Sequence, residues 1–115
     1  MTIIQSSEAN KVQASASTTV WEYFMDDAVV SGAVAEINGR YPEKGFAINS
    51  VSKELAFVIS GHGHVLSPKA QHTITIGDVI FLDKGERFAW QGTVTIFMVT
   101  TPKFDPKQHS VKHIP

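Results

Sequence analysis

Short, strand-like runs of largely apolar residues follow one another along most of this chain. The runs are rich in β-branched and aromatic residues, which favour strands. No window of 11 residues holds a convincing helical period. The pattern predicts strands at Thr18–Met25, Ala33–Ile37, Phe46–Asn49, Glu54–Ser60, His62–Leu66, His72–Ile76, Val79–Leu82, Arg87–Trp90 and Val94–Thr100.

Glycine, proline, asparagine or aspartate stands in nearly every gap between these runs. The pair Asn38-Gly39 is typical of a tight turn, and Gly61, Gly63 and Gly92 separate later runs. Many short strands with turn signals at close spacing favour a sandwich or a barrel. A jelly roll of two short sheets suits this length, so the expected fold class is all-β.

The length of 115 residues suits one domain and is too short for two. We expect a single domain over residues 1–115, in which residues 1–17 form an arm or lead-in strand. Residues 102–115 are expected to form a polar, proline-broken tail. Hydrophobic residues make up 43% of the chain, which supports a packed core.

Composition argues against several classes of partner. The 10 Lys and Arg residues nearly balance the 11 Asp and Glu residues, so nucleic-acid binding is not expected. The lack of cysteine removes disulfides, thiolate ligands and a cysteine nucleophile. No apolar stretch approaches the roughly 18 residues of a membrane helix, and the N-terminus does not resemble a secretory signal. We therefore expect no membrane partner and, by default, a cytoplasmic location.

Two stretches resemble the two sequence motifs of the cupin superfamily. Glu54 is followed after six residues by Gly61, and Gly77 is followed after five residues by Asp83-Lys84-Gly85. Residues 102–109, which end in Gln108-His109, also resemble a subgroup of small cupin proteins without an assigned activity. The resemblance implies a cupin-like double-stranded β-helix, which is a jelly-roll barrel. It also implies a homodimer that pairs through sheet faces or exchanges residues 1–17.

The resemblance further indicates that the usual cupin metal ligands, three histidines and one glutamate, are missing apart from Glu54. The positions that would carry histidine are Ile48 and Ser50, or Ala47 and Asn49, in the first motif and Phe88 in the second. A lone carboxylate holds a transition metal poorly. We therefore expect no cofactor at the usual positions.

Histidines elsewhere leave open a relocated site for a divalent transition metal. His62 and His64 lie two residues apart, so on a regular strand they share one face. His72 or Glu54 could complete such a site, and the alternative is that these histidines are exposed or hydrogen bonded. His109 and His113 are expected at the surface.

Strand parity predicts which side chains enter the barrel. If Glu54 points inward, as the resemblance implies, Ala56 and Val58 point inward too, whereas Lys53 and Phe57 point outward. By the same parity, Phe88 and Trp90 share one face, and the resemblance of Phe88's position to the second motif implies that this face is inward.

The expected pocket therefore has Glu54 beneath the walls formed by Phe88 and Trp90, with Asn49 near the mouth. Three functions remain open at this point. The first is metal-free binding of a small polar, sugar-like metabolite by these four residues. The second is an enzyme, either an isomerase or epimerase with Glu54 as the catalytic base, or a metalloenzyme that uses His62, His64 and His72. The third is a structural or regulatory dimer module whose barrel is filled by Phe88, Trp90 and Val58.

Overall fold

The computed structural model describes residues 1–113, and the predicted all-β class is confirmed. Two 3₁₀ turns, Ser6–Glu8 and Pro106–Gln108, accompany the strands. The strands are β1 (Asn10–Ser15), β2 (Thr18–Tyr23), β3 (Ser31–Tyr41), β4 (Phe46–Asn49), β5 (Lys53–Ser67), β6 (Ala70–Thr75), β7 (Val79–Leu82), β8 (Arg87–Thr101) and β9 (His109–Lys112). Within residues 1–113, no helix is long and apolar enough to cross a membrane.

The strands form one antiparallel sheet that curls into a barrel. Along its main path the order is β1-β2-β3-β8-β4-β9, and β5 pairs with β8, β7 and β6. β8 is the central strand, because one part of it pairs with β3 and β5 and its first residues pair with β4. The inner face of the curled sheet therefore combines side chains that are distant in sequence.

Several glycines at which the sequence predicts turns lie inside the long strands β3, β5 and β8. Gly92 of β8 is the cross-strand partner of both Gly39 in β3 and Gly63 in β5. Gly92 has a φ of 130°, and a Cβ there would lie 2.6 Å from the Cα of Gly63. The prediction of a turn at Asn38-Gly39 is therefore wrong. These glycines allow three strands to approach closely, so two predicted pairs of runs merge into β5 and β8.

The predicted parity of β5 is confirmed. Ala56 and Val58 are fully buried, whereas Lys53 and Phe57 are exposed. The buried side chains join a core that includes Ile96 of β8. Full burial of a valine or isoleucine side chain contributes roughly 1.5–3 kcal/mol, so Val58 and Ile96 stabilise the folded barrel.

Both chain ends contribute strands. Residues Asn10–Ser15 form a hairpin with β2, so this part of the predicted arm is a strand of the same chain. His109–Lys112 pairs with β4, and this pairing sets His109 opposite Asn49. The segment expected to be a polar tail is thus part of the barrel as far as Lys112. The sequence HSVK carries little strand signal of its own. It forms a strand because its backbone pairs with the edge of β4.

Candidate functional site

A cavity of about 430 Å³ lies inside the barrel and opens to solvent. This volume is within the range of roughly 300–1,000 Å³ that is usual for small-molecule sites. Its apolar walls include Val20, Phe88, Trp90, Ile96, Met98 and Phe104. Its polar lining includes Thr18, Tyr41, Glu54, Thr100 and His109. The barrel is therefore not filled by its aromatic side chains.

Phe88 and Trp90 form one wall of this cavity, as the parity argument predicts. Both side chains are buried, and their rings meet edge to face with centroids 6.3 Å apart. Trp90 is also the cross-strand partner of Tyr41 in β3. This wall offers rigid aromatic surface to the body of a ligand.

Glu54 is the carboxylate inside the barrel, and only 6% of its surface is exposed. Its Oε1 accepts a hydrogen bond of 3.3 Å from the amide Nδ2 of Asn49. Its Oε2 is buried and has no hydrogen-bond partner among residues 1–113. Burial raises the pKa of Glu54 to about 7, against the smaller opposing effect of the bond from Asn49. Near neutral pH this carboxyl can therefore either give or take a proton.

Asn49 does not lie at the mouth of the pocket, where the sequence placed it. Its side chain is 2% exposed and does not line the cavity. The pairing of β9 with β4 covers it, with His109 directly opposite. Asn49 thus orients Glu54 through a hydrogen bond without itself lining the cavity.

Gln108 fixes the orientation of this hydrogen-bond network. Its Oε1 accepts the backbone N–H groups of Val51 and Ser52 at 3.1 and 3.0 Å. Since backbone N–H groups only donate, the other end of the amide must be Nε2, which donates to Asn49 Oδ1 at 3.2 Å. Asn49 Oδ1 is therefore an acceptor, and its Nδ2 is directed at Glu54.

The orientation of Asn49 also determines which ring nitrogen of His109 carries the proton. Its Nδ1 lies 2.8 Å from Asn49 Oδ1, so Nδ1 carries the hydrogen and donates. Burial lowers the pKa of His109, which favours the neutral ring with a free electron pair on Nε2. The Tyr41 hydroxyl lies 2.9 Å from that nitrogen and donates to it. Burial, together with the nearby Glu54, raises the pKa of Tyr41.

The expectation that His109 lies at the surface is wrong. It is half-buried, lines the cavity and packs against Phe104, with ring centroids 5.7 Å apart. No sequence pattern singled out Tyr41 or the positioning role of Gln108. The one available signal was the terminal stretch that ends in Gln108-His109.

The structure does not bring the three candidate metal histidines together. His62 and His64 are cross-strand partners of Thr75 and Thr73, whereas His72 is opposite Val65 and so lies on the other face of the sheet. In the described part of the chain, no three His, Cys, Asp or Glu side chains are grouped as metal ligands. His113 is exposed, as expected.

The residues at the usual cupin metal positions do not fit a transition metal. Ala47, Ile48 and Phe88 offer no donor atom, and Ser50 is exposed and bonded to the Gln108 carbonyl. The cavity does contain His109, but both of its ring nitrogens already take part in hydrogen bonds. A nitrogen ligand would have to break this network to bind a metal.

The rim of the cavity is acidic. Glu22, Asp26 and Asp27 line it, together with Lys103. With Glu54 inside, carboxyl groups outnumber ammonium groups among the lining residues of the described chain. The resulting potential disfavours entry of phosphorylated or carboxylated molecules.

Comparison with solved structures supports the fold. No family model and no curated protein matches the sequence. The nucleoside dehydratase Pac13 superposes with a TM-score of 0.87 at 13% identity, covering 99% of this chain and 92% of that chain. Ectoine synthase from P. lautus gives 0.76 at 15% identity, covering 100% and 92%. A cupin-2 domain protein from Rhodospirillum rubrum gives 0.75 at 9% identity, covering 96% and 80%. Together with the motif frame around Glu54, these similarities show that the chain has the fold of the cupin superfamily.

Proposed function

We propose that this protein binds a small, neutral, hydroxyl-bearing molecule in the barrel cavity without a metal. The observation that carries this proposal is a pair of buried polar atoms without partners among residues 1–113, Glu54 Oε2 and Thr18 Oγ1. Both residues line the same cavity. An unsatisfied buried polar group costs roughly 1–3 kcal/mol, so a ligand that bonds to these atoms regains that free energy.

The lining favours a molecule with an apolar body and a few hydroxyl groups. Phe88, Trp90 and Met98 offer mostly apolar contact, whereas Tyr41 and Glu54 offer hydrogen bonds at separate points. The acidic rim adds a preference against anions. A sugar-like ring or a nucleoside has this combination of an apolar face and hydroxyl groups.

One comparison gives independent support for this class of ligand. Variants of Streptomyces PAC13 have been solved with uridine, and one of them superposes on this chain with a TM-score of 0.85. Uridine is neutral and carries hydroxyl groups. That similarity supports the proposal that a barrel of this fold can take such a molecule. It also makes uridine a suitable first probe.

A paired titration tests this proposal. Uridine, methyl glucoside and dihydroxyacetone are added to ¹⁵N-labelled protein, and each phosphorylated counterpart is added to a second sample. We expect the neutral compounds to shift amide resonances around the cavity and their phosphates to shift them less. Ala33→Phe, which places a ring inside the cavity, should remove the shifts. The exposed control Ala70→Phe should retain them.

The proposal is overturned if none of the three neutral compounds shifts cavity resonances. It is also overturned if the shifts survive in Ala33→Phe, since the ligand would then lie elsewhere.

We also propose that two copies of the chain pair through an apolar sheet face. We define this face as the outward side chains of Leu55, Phe57, Val79, Phe81 and Phe97, which are between 38% and 60% exposed. Leu55 is the partner of Phe81, and Phe57 is the partner of both Val79 and Phe97, so the five side chains form one continuous patch. Patches of several hundred Å² mark interaction surfaces. Because the five side chains are apolar and uncharged, a second copy that presents the same patch would bury this surface from water.

A further inference from the structure

We propose that the cavity performs proton transfer on its ligand, with Tyr41 and Glu54 as the two groups that touch it. This proposal rests on the proposed binding function and adds a reaction to it, the interconversion of a hydroxyketone and its enol. His109 is the base behind Tyr41, and Gln108 is a positioning residue.

The direction of the hydrogen bonds carries this inference. Tyr41 donates its own proton to Nε2 of His109, so the phenol oxygen presents electron pairs to the cavity. A ligand hydroxyl can therefore donate to Tyr41 and pass a proton along the pair to His109. Were the direction reversed, Tyr41 would present its hydrogen and the pair could not accept a proton.

Glu54 supplies the second proton site on the same cavity. Its Oε1 accepts a hydrogen bond from Asn49, and its buried Oε2 has no hydrogen-bond partner among residues 1–113. Tyr41 and Glu54 come from different strands and line the same cavity. A ligand between them thus meets a proton acceptor on one side and a carboxyl group on the other.

The reaction balances without a further reactant. From the enol to the ketone, the O–H bond of the enol breaks and its proton passes to Tyr41, while the proton of Tyr41 passes to His109 Nε2. The oxygen electron pair forms the C=O bond, and the electron pair of the C=C bond takes the proton of the Glu54 carboxyl. Glu54 is left as a carboxylate and His109 as an imidazolium, and water returns the proton between them. The ketone reacts by the reverse steps.

Other titratable groups near this site lie at the rim. Glu22 of β2, Asp26 and Asp27 of the β2–β3 loop, and Lys103 after β8 line the cavity. These four lie outside the hydrogen-bonded network of Tyr41, His109, Asn49 and Glu54. The proton path therefore runs through Tyr41, His109 and Glu54, and the rim groups modify the local potential.

Deuterium exchange into dihydroxyacetone tests this reaction. The compound is a neutral hydroxyketone, and exchange of its C–H hydrogens in ²H₂O is followed by ¹H NMR. We expect the protein to accelerate exchange above the buffer rate. Tyr41→Phe and Glu54→Gln should each reduce the acceleration at least tenfold, as general acid and base groups typically contribute about 10²–10⁴-fold. Glu43→Gln and His72→Gln, which alter exposed residues away from the cavity, should leave it unchanged.

An unchanged rate in both Tyr41→Phe and Glu54→Gln overturns the proposal, as does the absence of exchange above buffer. In the latter case the amide spectrum of the same sample separates two failures. If dihydroxyacetone shifts cavity resonances, binding stands and only the proton transfer fails. If it shifts none, and uridine and methyl glucoside also fail, the binding function fails too.

Discussion

The hydroxyl of Tyr41 lies 2.9 Å from Nε2 of His109, although 68 positions separate them in the sequence. The contact joins β3 to the last strand of the barrel, and its direction follows from backbone N–H groups that bond to Gln108. A chain of four side chains thus runs from the backbone to the cavity. Its proton positions are open to measurement.

Tyr41→Phe should alter the ionisation of His109. In the wild type we expect the neutral Nδ1–H tautomer and a pKa below 6.5, visible in ¹⁵N spectra of the imidazole ring. The variant removes the bond to Nε2 that stabilises the neutral ring, so the pKa of His109 should rise. The exposed His62 ring serves as an internal reference. A wild-type ring with its hydrogen on Nε2 would contradict the assigned network.

Glu54 should make the free energy of unfolding fall as pH rises. Its pKa is about 7 in the folded protein against 4.5 for an ordinary glutamate, so the folded state binds more protons between these values. Its contribution is fully present below about pH 4.5 and is lost as pH rises through 7, by up to about 3 kcal/mol. The lowered pKa of His109 acts in the opposite sense, since that contribution is lost as pH falls below 6.5.

Comparison of the wild type with Glu54→Gln separates the pH-dependent contribution of Glu54 to stability from that of His109. Urea unfolding at several values between pH 4.5 and 8 should show that the variant gains stability relative to the wild type as pH rises. Glu43→Gln, at an exposed position, should follow the wild type throughout. A constant difference between wild type and Glu54→Gln would show that the carboxyl titrates normally.

Gln108→Leu should destabilise the fold by about 2–4 kcal/mol. The substitution keeps a similar volume but leaves the N–H groups of Val51 and Ser52 without their acceptor, each at a cost of roughly 1–3 kcal/mol. Gln108→Glu keeps an oxygen acceptor for both groups and should lose less, as measured by urea unfolding. Equal losses in the two variants would mean that the backbone bonds contribute little.

Gly92→Ala should destabilise the protein far more than Gly77→Ala. Both glycines have positive φ, so both substitutions strain the backbone, at roughly 1–3 kcal/mol. At Gly92 the new Cβ also overlaps backbone, 2.6 Å from Gly63 Cα, whereas at Gly77 no atom of residues 1–113 lies within 4 Å. Thermal unfolding should separate the two variants clearly. Similar melting temperatures would show that β5 and β8 can move apart at no cost.

Phe57→Glu should yield a monomer if the apolar sheet face pairs two copies. The substitution places charge at the centre of the face, which a second copy cannot bury without a large desolvation cost. Val51→Glu changes a valine that is 53% exposed outside the face and should leave the mass unchanged. Light scattering after size-exclusion chromatography measures this. A monomeric wild type would rule out the proposed pairing.

The sequence by itself determined the all-β class of fold, and its resemblance to the cupin motifs implied the inward position of Glu54. With Glu54 taken as inward, alternation along β5 places Ala56 and Val58 in the core, because successive side chains of a strand point to opposite faces. The resemblance of residues 54–61 and 77–85 to the two cupin motifs implied the barrel type. The same parity placed Phe88 and Trp90 in the cavity wall.

Only the tertiary structure decided what surrounds Glu54. Tyr41, Asn49, Gln108 and His109 come from separate segments, and their partners are set by the curl of the sheet and by the pairing of β9 with β4. A local pattern reports which face a side chain occupies, but it carries no record of which distant segment closes over that face. The glycines show the same limit, since Gly92 marks a close approach of strands that no window of sequence contains.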